Sequence, residues 1–174
     1  MNVPSLIITG LAAAFLFNYP AFLLFWHNPR YMLFQMPVFF RQGPDGQQET
    51  SKEDISRFRI FFYIAVIFVL LGAAVVCAAT HDRTTNFWAL FLYGYLVGML
   101  VNIGDVLALD IWMLGKYRKY LTASCNVYPE NWSLKNVLKK HTLPEHALQW
   151  TFIVCPVIGF VVAGLASGLL ALGM

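Results

Sequence analysis

The sequence is poor in charge. Only 12% of its 174 residues are Asp, Glu, Lys or Arg, which is about half the fraction that soluble domains usually carry. The charged residues fall into two blocks, and long apolar runs separate these blocks. This distribution excludes an ordinary water-soluble domain and is typical of a membrane protein, whose solvent-facing surface is confined to its loops.

The sequence also lacks the short motifs that identify many common sites. It contains no Gly-rich phosphate loop, no nucleophile elbow and no repeated metal-ligand motif. Its three cysteines have no CxxC or Cys/His spacing, so a disulfide framework is not expected. A nucleic-acid partner is not expected either.

Four apolar segments are long enough to cross about 30 Å of hydrocarbon at about 1.5 Å per residue. The first has neither the basic start nor the small-residue cleavage site of a secretory signal, so it is interpreted as a retained helix. The sequence predicts an all-α fold, a four-helix transmembrane bundle in a single membrane domain covering residues 1–174. The predicted spans are residues 6–26, 58–79, 87–113 and 147–172, and the predicted loops are residues 27–57 and 114–146.

The basic residues predict the orientation of this bundle. Of the 12 Lys and Arg residues, all but Arg83 lie in the two long loops or, for Arg59, at the first turn of the span that follows the first loop. Cytoplasmic loops carry an excess of Lys and Arg. We therefore expect a multi-pass protein of the cell (inner) membrane with both long loops in the cytoplasm and both termini outside.

The segment at residues 29–41 follows the first helix. It is too short and too proline-broken to span the membrane, yet it is rich in aromatic residues. These properties predict an interfacial segment on the inner leaflet; a segment packed under the bundle is the alternative. Ser51 and Thr142, each followed by a carboxylate three positions later, are the predicted N-caps of the second and fourth helices.

Polar residues concentrate in the third span. Burying them in a membrane costs free energy, so their presence indicates a structural or functional role. Asn102 and Asp105 are three positions apart and share a helix face. The length of the span places Asp105 inside the hydrocarbon near its cytoplasmic edge, and Asp110 at the interface. A carboxylate at Asp105 should face the bundle interior, where it finds a hydrogen-bond donor or keeps its own proton.

Candidate partners lie at the same depth on the neighbouring helices. Together they predict a pocket at the cytoplasmic end of the bundle, with Asp105 and His146 as candidate catalytic residues. Carboxylates and imidazoles can bind a divalent metal or act as acid and base on a lipid headgroup, and the sequence does not specify a metal or cofactor. The alternative for Asp105 is a structural role, as a hydrogen bond to Asn18 or a pair with a basic residue, and His81 and His141 are interpreted as ordinary exposed residues. The predicted ligand-binding residues are Asn18, His27, Asn102, Asp105, Asp110, Glu145 and His146.

The second half of the chain resembles a group of small bacterial four-helix membrane proteins of unassigned function. The resemblance rests on Asp105-x4-Asp110, a basic loop and then His146 just before the last helix. It implies that Asp105, Asp110 and His146 recur together among members of that group and that the protein is located in a bacterial inner membrane. It implies no activity, and the loop from Tyr120 to His141 departs from the pattern.

Three functional interpretations remain open from the sequence. The leading one is a protein that binds a lipid or a small ligand or metal in the polar pocket, with an enzyme as one form of it. The second is a transport or channel subunit in which Asp105 relays protons or cations, although the outer halves of the third and fourth spans offer few polar residues to line a path. The third is an accessory or assembly subunit of a larger membrane complex. Membrane lipids are the expected partners, and a homo-oligomer built through Gly/Ala faces remains open.

Overall fold

A computed structural model describes residues 2–47, 49–81 and 86–173. The predicted all-α fold is confirmed. The helices are α1 (Val3–His27), α2 (Arg30–Gln35), α3 (Lys52–Thr80), α4 (Phe87–Cys125) and α5 (Leu134–Ala171); a 3-10 turn (Val38–Arg41) and a two-residue hairpin of β1 (Gln42–Gly43) and β2 (Gly46–Gln47) connect α2 to α3.

Four helices, α1, α3, α4 and α5, are long and apolar enough to span a membrane, and the chain is a multi-pass membrane protein. The turn that holds Arg83 lies outside the described residues. α4 packs between α1 and α5, and α3 closes the bundle on the opposite side by contacting α1 and α5. We call the end at which α1 ends and α3 begins the loop end.

Glycines allow α4 to lie close to both of its neighbours. A Cβ atom at Gly94 would lie 2.7 Å from the Val162 side chain and 3.1 Å from the Gly159 backbone, and one at Gly10 would overlap Leu100. Close backbone approach is how membrane helices gain packing energy when lipid is as apolar as their side chains. By contrast, a Cβ at Gly72 would meet nothing within 4 Å, so not every small residue marks a helix contact.

The two helices that build the loop end are longer than predicted. α4 does not end near Met113 but continues to Cys125, because residues 114–125 contain no proline and half of them are good helix formers. Asn126, in the left-handed conformation at φ 51°, ends it. The predicted loop at residues 114–146 is therefore mostly helix, with a short connection between Cys125 and Leu134.

α5 begins at Leu134 and passes through Pro144 without ending. Ser51 caps α3 as predicted, since its Oγ accepts from the Asp54 amide at 3.1 Å. The cap predicted at Thr142 is wrong: Ser133 caps this helix, and Thr142 lies inside it. The backbone around Pro144, over Leu138–Val154, forms wide π-helical turns, which accommodate a residue that cannot donate a backbone hydrogen bond.

The segment after α1 packs onto the loop end of the bundle. Tyr31, Met32, Met36 and Phe40 are buried in an apolar cluster with side chains of α3, α4 and α5. Trp132 Nε1 donates to the Phe40 carbonyl at 2.8 Å. These contacts fit the alternative that this segment packs under the bundle, at least on the face that it turns to the helices.

Candidate functional site

Five titratable side chains converge between α4 and α5 near the loop end. They are Asp105 and Asp110 of α4 and His141, Glu145 and His146 of α5, and all five line one cavity. Asp110, His141 and His146 are buried to 6% exposure or less. Burying charged and polar groups together inside an apolar bundle is costly unless they pair with one another or bind a ligand.

The backbone explains why residues five positions apart meet in this cluster. Asp105 and Asp110 are five apart, and so are His141 and His146. In an α-helix such residues point about 140° apart. π-helical turns, with their i to i+5 hydrogen bonds, place them on the same face. α4 is π-helical over Val106–Met113 and α5 over Leu138–Val154, so both helices present their pair to the cluster.

The hydrogen bonds of Asn102 orient His146. Asn102 Nδ2 donates to the His146 carbonyl at 3.1 Å, and its Oδ1 lies 2.7 Å from His146 Nδ1. A carbonyl can only accept, so the amide orientation is determined, and Oδ1 must accept a proton from Nδ1. The other ring nitrogen, Nε2, then presents a lone pair to the cluster.

His141 is arranged in a similar way. Its Nδ1 lies 3.0 Å from Glu145 Oε2, and its Nε2 lies 3.7 Å from Asp110 Oδ1. A carboxylate next to Nδ1 favours the proton on that atom. Imidazoles that bind metals are usually held in this way, with one nitrogen bonded to an oxygen and the other free for the metal.

Asp110 faces both free imidazole nitrogens. Its Oδ2 accepts from Thr142 Oγ1 at 2.5 Å and lies 3.5 Å from His146 Nε2. Within the part of the chain that the structure describes, neither Nε2 forms a hydrogen bond, because 3.5 and 3.7 Å exceed the usual N–H···O range. The two Nε2 lone pairs and the carboxylate oxygens of Asp110 therefore face a common space, and this set of atoms suits a bound cation.

The spacing of these atoms fits a single metal ion. One ligand atom from each of Asp110, His141 and His146 lies within 4.8 Å of the others. A tetrahedral ion bound at about 2.0–2.2 Å keeps its ligand atoms roughly 3.3–3.6 Å apart. Asp110 approaches each imidazole with a different carboxylate oxygen, Oδ2 at 3.5 Å from His146 Nε2 and Oδ1 at 3.7 Å from His141 Nε2, and these separations are close to that range.

Two further carboxylates lie beside this three-residue set. Asp105 Oδ2 is 3.9 Å from His146 Nε2, with the Asp105 side chain 14% exposed. Glu145 contacts His141 and is 32% exposed. Both reach the cavity, where a carboxylate can bind a metal, orient a bound water or accept a proton.

The structure brings together most of the predicted site residues, but two take other roles. Asn102, Asp105, Asp110, Glu145 and His146 meet in the cluster described above. Asn18 is buried one layer away, and its Nδ2 donates to the Val101 carbonyl at 3.4 Å instead of to Asp105. His27 is exposed and does not line the cavity.

The interpretation of His81 and His141 as exposed residues is wrong. His81 is 9% and His141 6% exposed. His81 Nδ1 lies 2.8 Å from the Cys77 carbonyl at the opposite end of α3, whereas His141 belongs to the cluster. The shared five-residue spacing of the two Asp and the two His residues is the sequence signal that could have identified His141, together with the proline between the histidines.

A cavity of about 430 Å³ extends from the cluster. Away from the cluster its lining is almost entirely apolar and comes from α1, α2, α3, α4 and α5; representative residues are Phe17, Phe62, Val66, Val101, Trp150 and Val157. Ile153 and Val157 line the cavity and are 61% and 56% exposed. The cavity is therefore open to the outer surface of the bundle.

Comparison with known protein families, with curated proteins and with solved structures gives no match for this chain.

Proposed function

We propose that this chain is a membrane metalloprotein that binds one divalent ion through Asp110, His141 and His146, at the cytoplasmic end of its bundle. The observation that carries the proposal is the convergence of two imidazole Nε2 atoms and one buried carboxylate on a common space without a proton donor between them. Two histidines and one carboxylate form the ligand set of several catalytic zinc and iron(II) sites.

The site has the properties of a catalytic centre more than of a structural one. Structural zinc sites are closed by four protein ligands, whereas catalytic sites keep a position open for water or substrate. Here three ligands lie against a cavity, and Asp105 and Glu145 lie beside the open side. Such an ion acidifies a bound water or polarises a carbonyl or phosphoryl oxygen, and a neighbouring carboxylate accepts the proton.

A route for ions across the bundle has less support. Toward the end opposite the cluster, the centre of the bundle is filled by apolar side chains that include Val97, Cys155 and Val162. Among the residues that the structure describes, polar groups reappear beyond this layer, where Tyr93 Oη contacts Ser5 and Thr9. A proton or cation relay through one copy of the chain would have to cross this apolar layer, so transport and the accessory-subunit role remain alternative predictions.

Metal content tests the proposal directly. The full chain is extracted gently, loaded separately with Zn²⁺, Fe²⁺ or Mn²⁺, freed of excess metal and analysed by elemental mass spectrometry. We expect about one ion per chain for one of these metals, and near-complete loss in His141→Ala, His146→Ala and Asp110→Asn. His27→Ala is the matched control, because it removes an exposed histidine outside the cavity.

Circular dichroism and gel filtration report whether each variant is folded. A folded wild-type chain that retains none of the three metals would overturn the proposal. Retention of metal by all three ligand variants would do the same, because the ion would then bind elsewhere.

A further inference from the structure

We infer that the cavity beside the cluster admits one acyl chain of a membrane phospholipid, whose headgroup then reaches the metal site. Only the placement of the headgroup rests on the proposed function, because it requires the metal site. The acyl-chain end rests on the shape, lining and position of the cavity.

The cavity is built like a site for an amphiphile. Its polar side chains, among them Asp105, Asp110 and His146, lie at one end, and the remaining lining is aliphatic and aromatic. Its volume of about 430 Å³ falls within the range of about 300–1,000 Å³ that is typical of ligand pockets. An apolar ligand with a single polar end is the occupant that satisfies both parts.

The cavity is also elongated along the bundle. His146 and Val161 both line it and are 15 positions apart on α5, which is roughly 20 Å along a helix axis. This exceeds half of the hydrocarbon thickness of about 30 Å. A compact solute would leave most of this length empty, whereas an extended hydrocarbon chain follows it.

The bilayer itself is the source of such a ligand. α3 contacts the Cys155–Ala171 part of α5 closely but has few contacts with the Leu138–Val154 part. The two helices therefore separate toward the loop end, and the highly exposed Ile153 and Val157 line the gap. In a spanning bundle such a gap faces lipid, so one chain of a phospholipid can enter from the side while its second chain stays in the bilayer.

Neighbouring residues of α3 provide the test. Val66 and Val69 line the cavity, whereas Ile67 and Phe68 do not line it and are 54% and 69% exposed on the outer surface. The full chain is reconstituted in phosphatidylethanolamine/phosphatidylglycerol vesicles. These contain a phosphatidylethanolamine with a photoreactive diazirine in one acyl chain, and crosslinked residues are mapped by mass spectrometry.

We expect labelling of Val66 and Val69 in addition to the outer residues, and suppression of that labelling by excess unlabelled phospholipid. Val66→Trp fills the cavity and should lower labelling of Val69 at least tenfold, while Ile67→Trp, on the outer surface, leaves it unchanged. If Val66→Trp does not fold, the wild-type crosslink map decides by itself. Labelling confined to Ile67 and Phe68 would overturn the inference, and so would cavity labelling that a free fatty acid displaces but phospholipid does not.

Metal content is measured on the same preparations, so the two proposals fail separately. Metal retention without cavity labelling would support the proposed metal site and refute the phospholipid site. Cavity labelling in a chain that retains no metal would support the acyl-chain site and refute the proposed metal site.

Discussion

The hydrogen bond between Thr142 and Asp110 offers a sharp test of the proposed metal site, because it can be removed without removing a proposed ligand. Thr142 Oγ1 donates to Asp110 Oδ2 at 2.5 Å, and the two side chains are buried to 8% and 3% exposure. Thr142→Val keeps the branched shape of the side chain and deletes the hydroxyl. Asp110 itself is unchanged in this variant, but its carboxylate loses the Thr142 hydroxyl that orients it.

Two independent magnitudes set the expected effect. A hydrogen bond to a charged group contributes about 1.5–3 kcal/mol. Loss of a group that orients a metal ligand typically weakens metal affinity about 10–100-fold, which corresponds to roughly 1.4–2.8 kcal/mol. The ranges agree, so we expect Thr142→Val to bind its metal 10–100-fold more weakly than the wild-type chain.

The affinity is measured by competition with a fluorescent chelator in detergent micelles. The matched control is Thr122→Val, because Thr122 is also buried but donates to the Arg118 carbonyl of its own helix at 3.0 Å. An affinity of folded Thr142→Val within twofold of wild type would refute the reasoning, since Asp110 would then not be a metal ligand held by Thr142. An equal loss in both variants would point to general destabilisation.

Three further predictions concern packing and the rest of the cluster. Gly94→Ala should lower the midpoint of thermal unfolding, because its new methyl group would push α5 away from α4, whereas Gly72→Ala, in open space, should leave the midpoint unchanged or raise it; equal effects would contradict the helix contact. Asn18→Leu should preserve metal content and leave the free energy of unfolding within about 1 kcal/mol of wild type, because removal of a buried Oδ1 that has no hydrogen-bond partner among the described residues offsets loss of the Nδ2 bond to the Val101 carbonyl; loss of metal would show that Asn18 supports the proposed site. Asp105→Asn should stay folded and keep the ion with affinity reduced about tenfold or less, as measured by chelator competition, and unfolding would instead assign Asp105 a structural role.

The fold was largely predictable from the sequence because a membrane imposes simple rules. Apolar length determines which segments can span, and the backbone of each span must satisfy its own hydrogen bonds as a helix. The four spanning helices follow from these rules. Their ends do not, because α4 continues to Cys125, past its predicted end near Met113, and at Pro144 the backbone adopts wide turns where the sequence rule predicts a helix start.

The site was predictable only in part. The cost of burying Asp105 pointed to a polar cluster on α4, and depth along the spans pointed to Glu145 and His146 on α5. His141 and Thr142 were missed, because His141 lay in the predicted loop at residues 114–146, where it was interpreted as exposed, and a cap motif placed Thr142 at a helix end. The π-helical turns of both helices reverse these assignments.

The sequence by itself therefore determined that the chain has four helices long and apolar enough to cross a membrane, and that its polar residues gather near one end, because composition and length control both properties. Only the tertiary structure decided which side chains meet. That depends on the pitch of two distorted helices and on the glycines that let α4 lie against α5. It also decided that an apolar cavity adjoins the polar cluster, because a gap between α3 and α5 arises from how whole helices diverge and leaves no pattern in either segment.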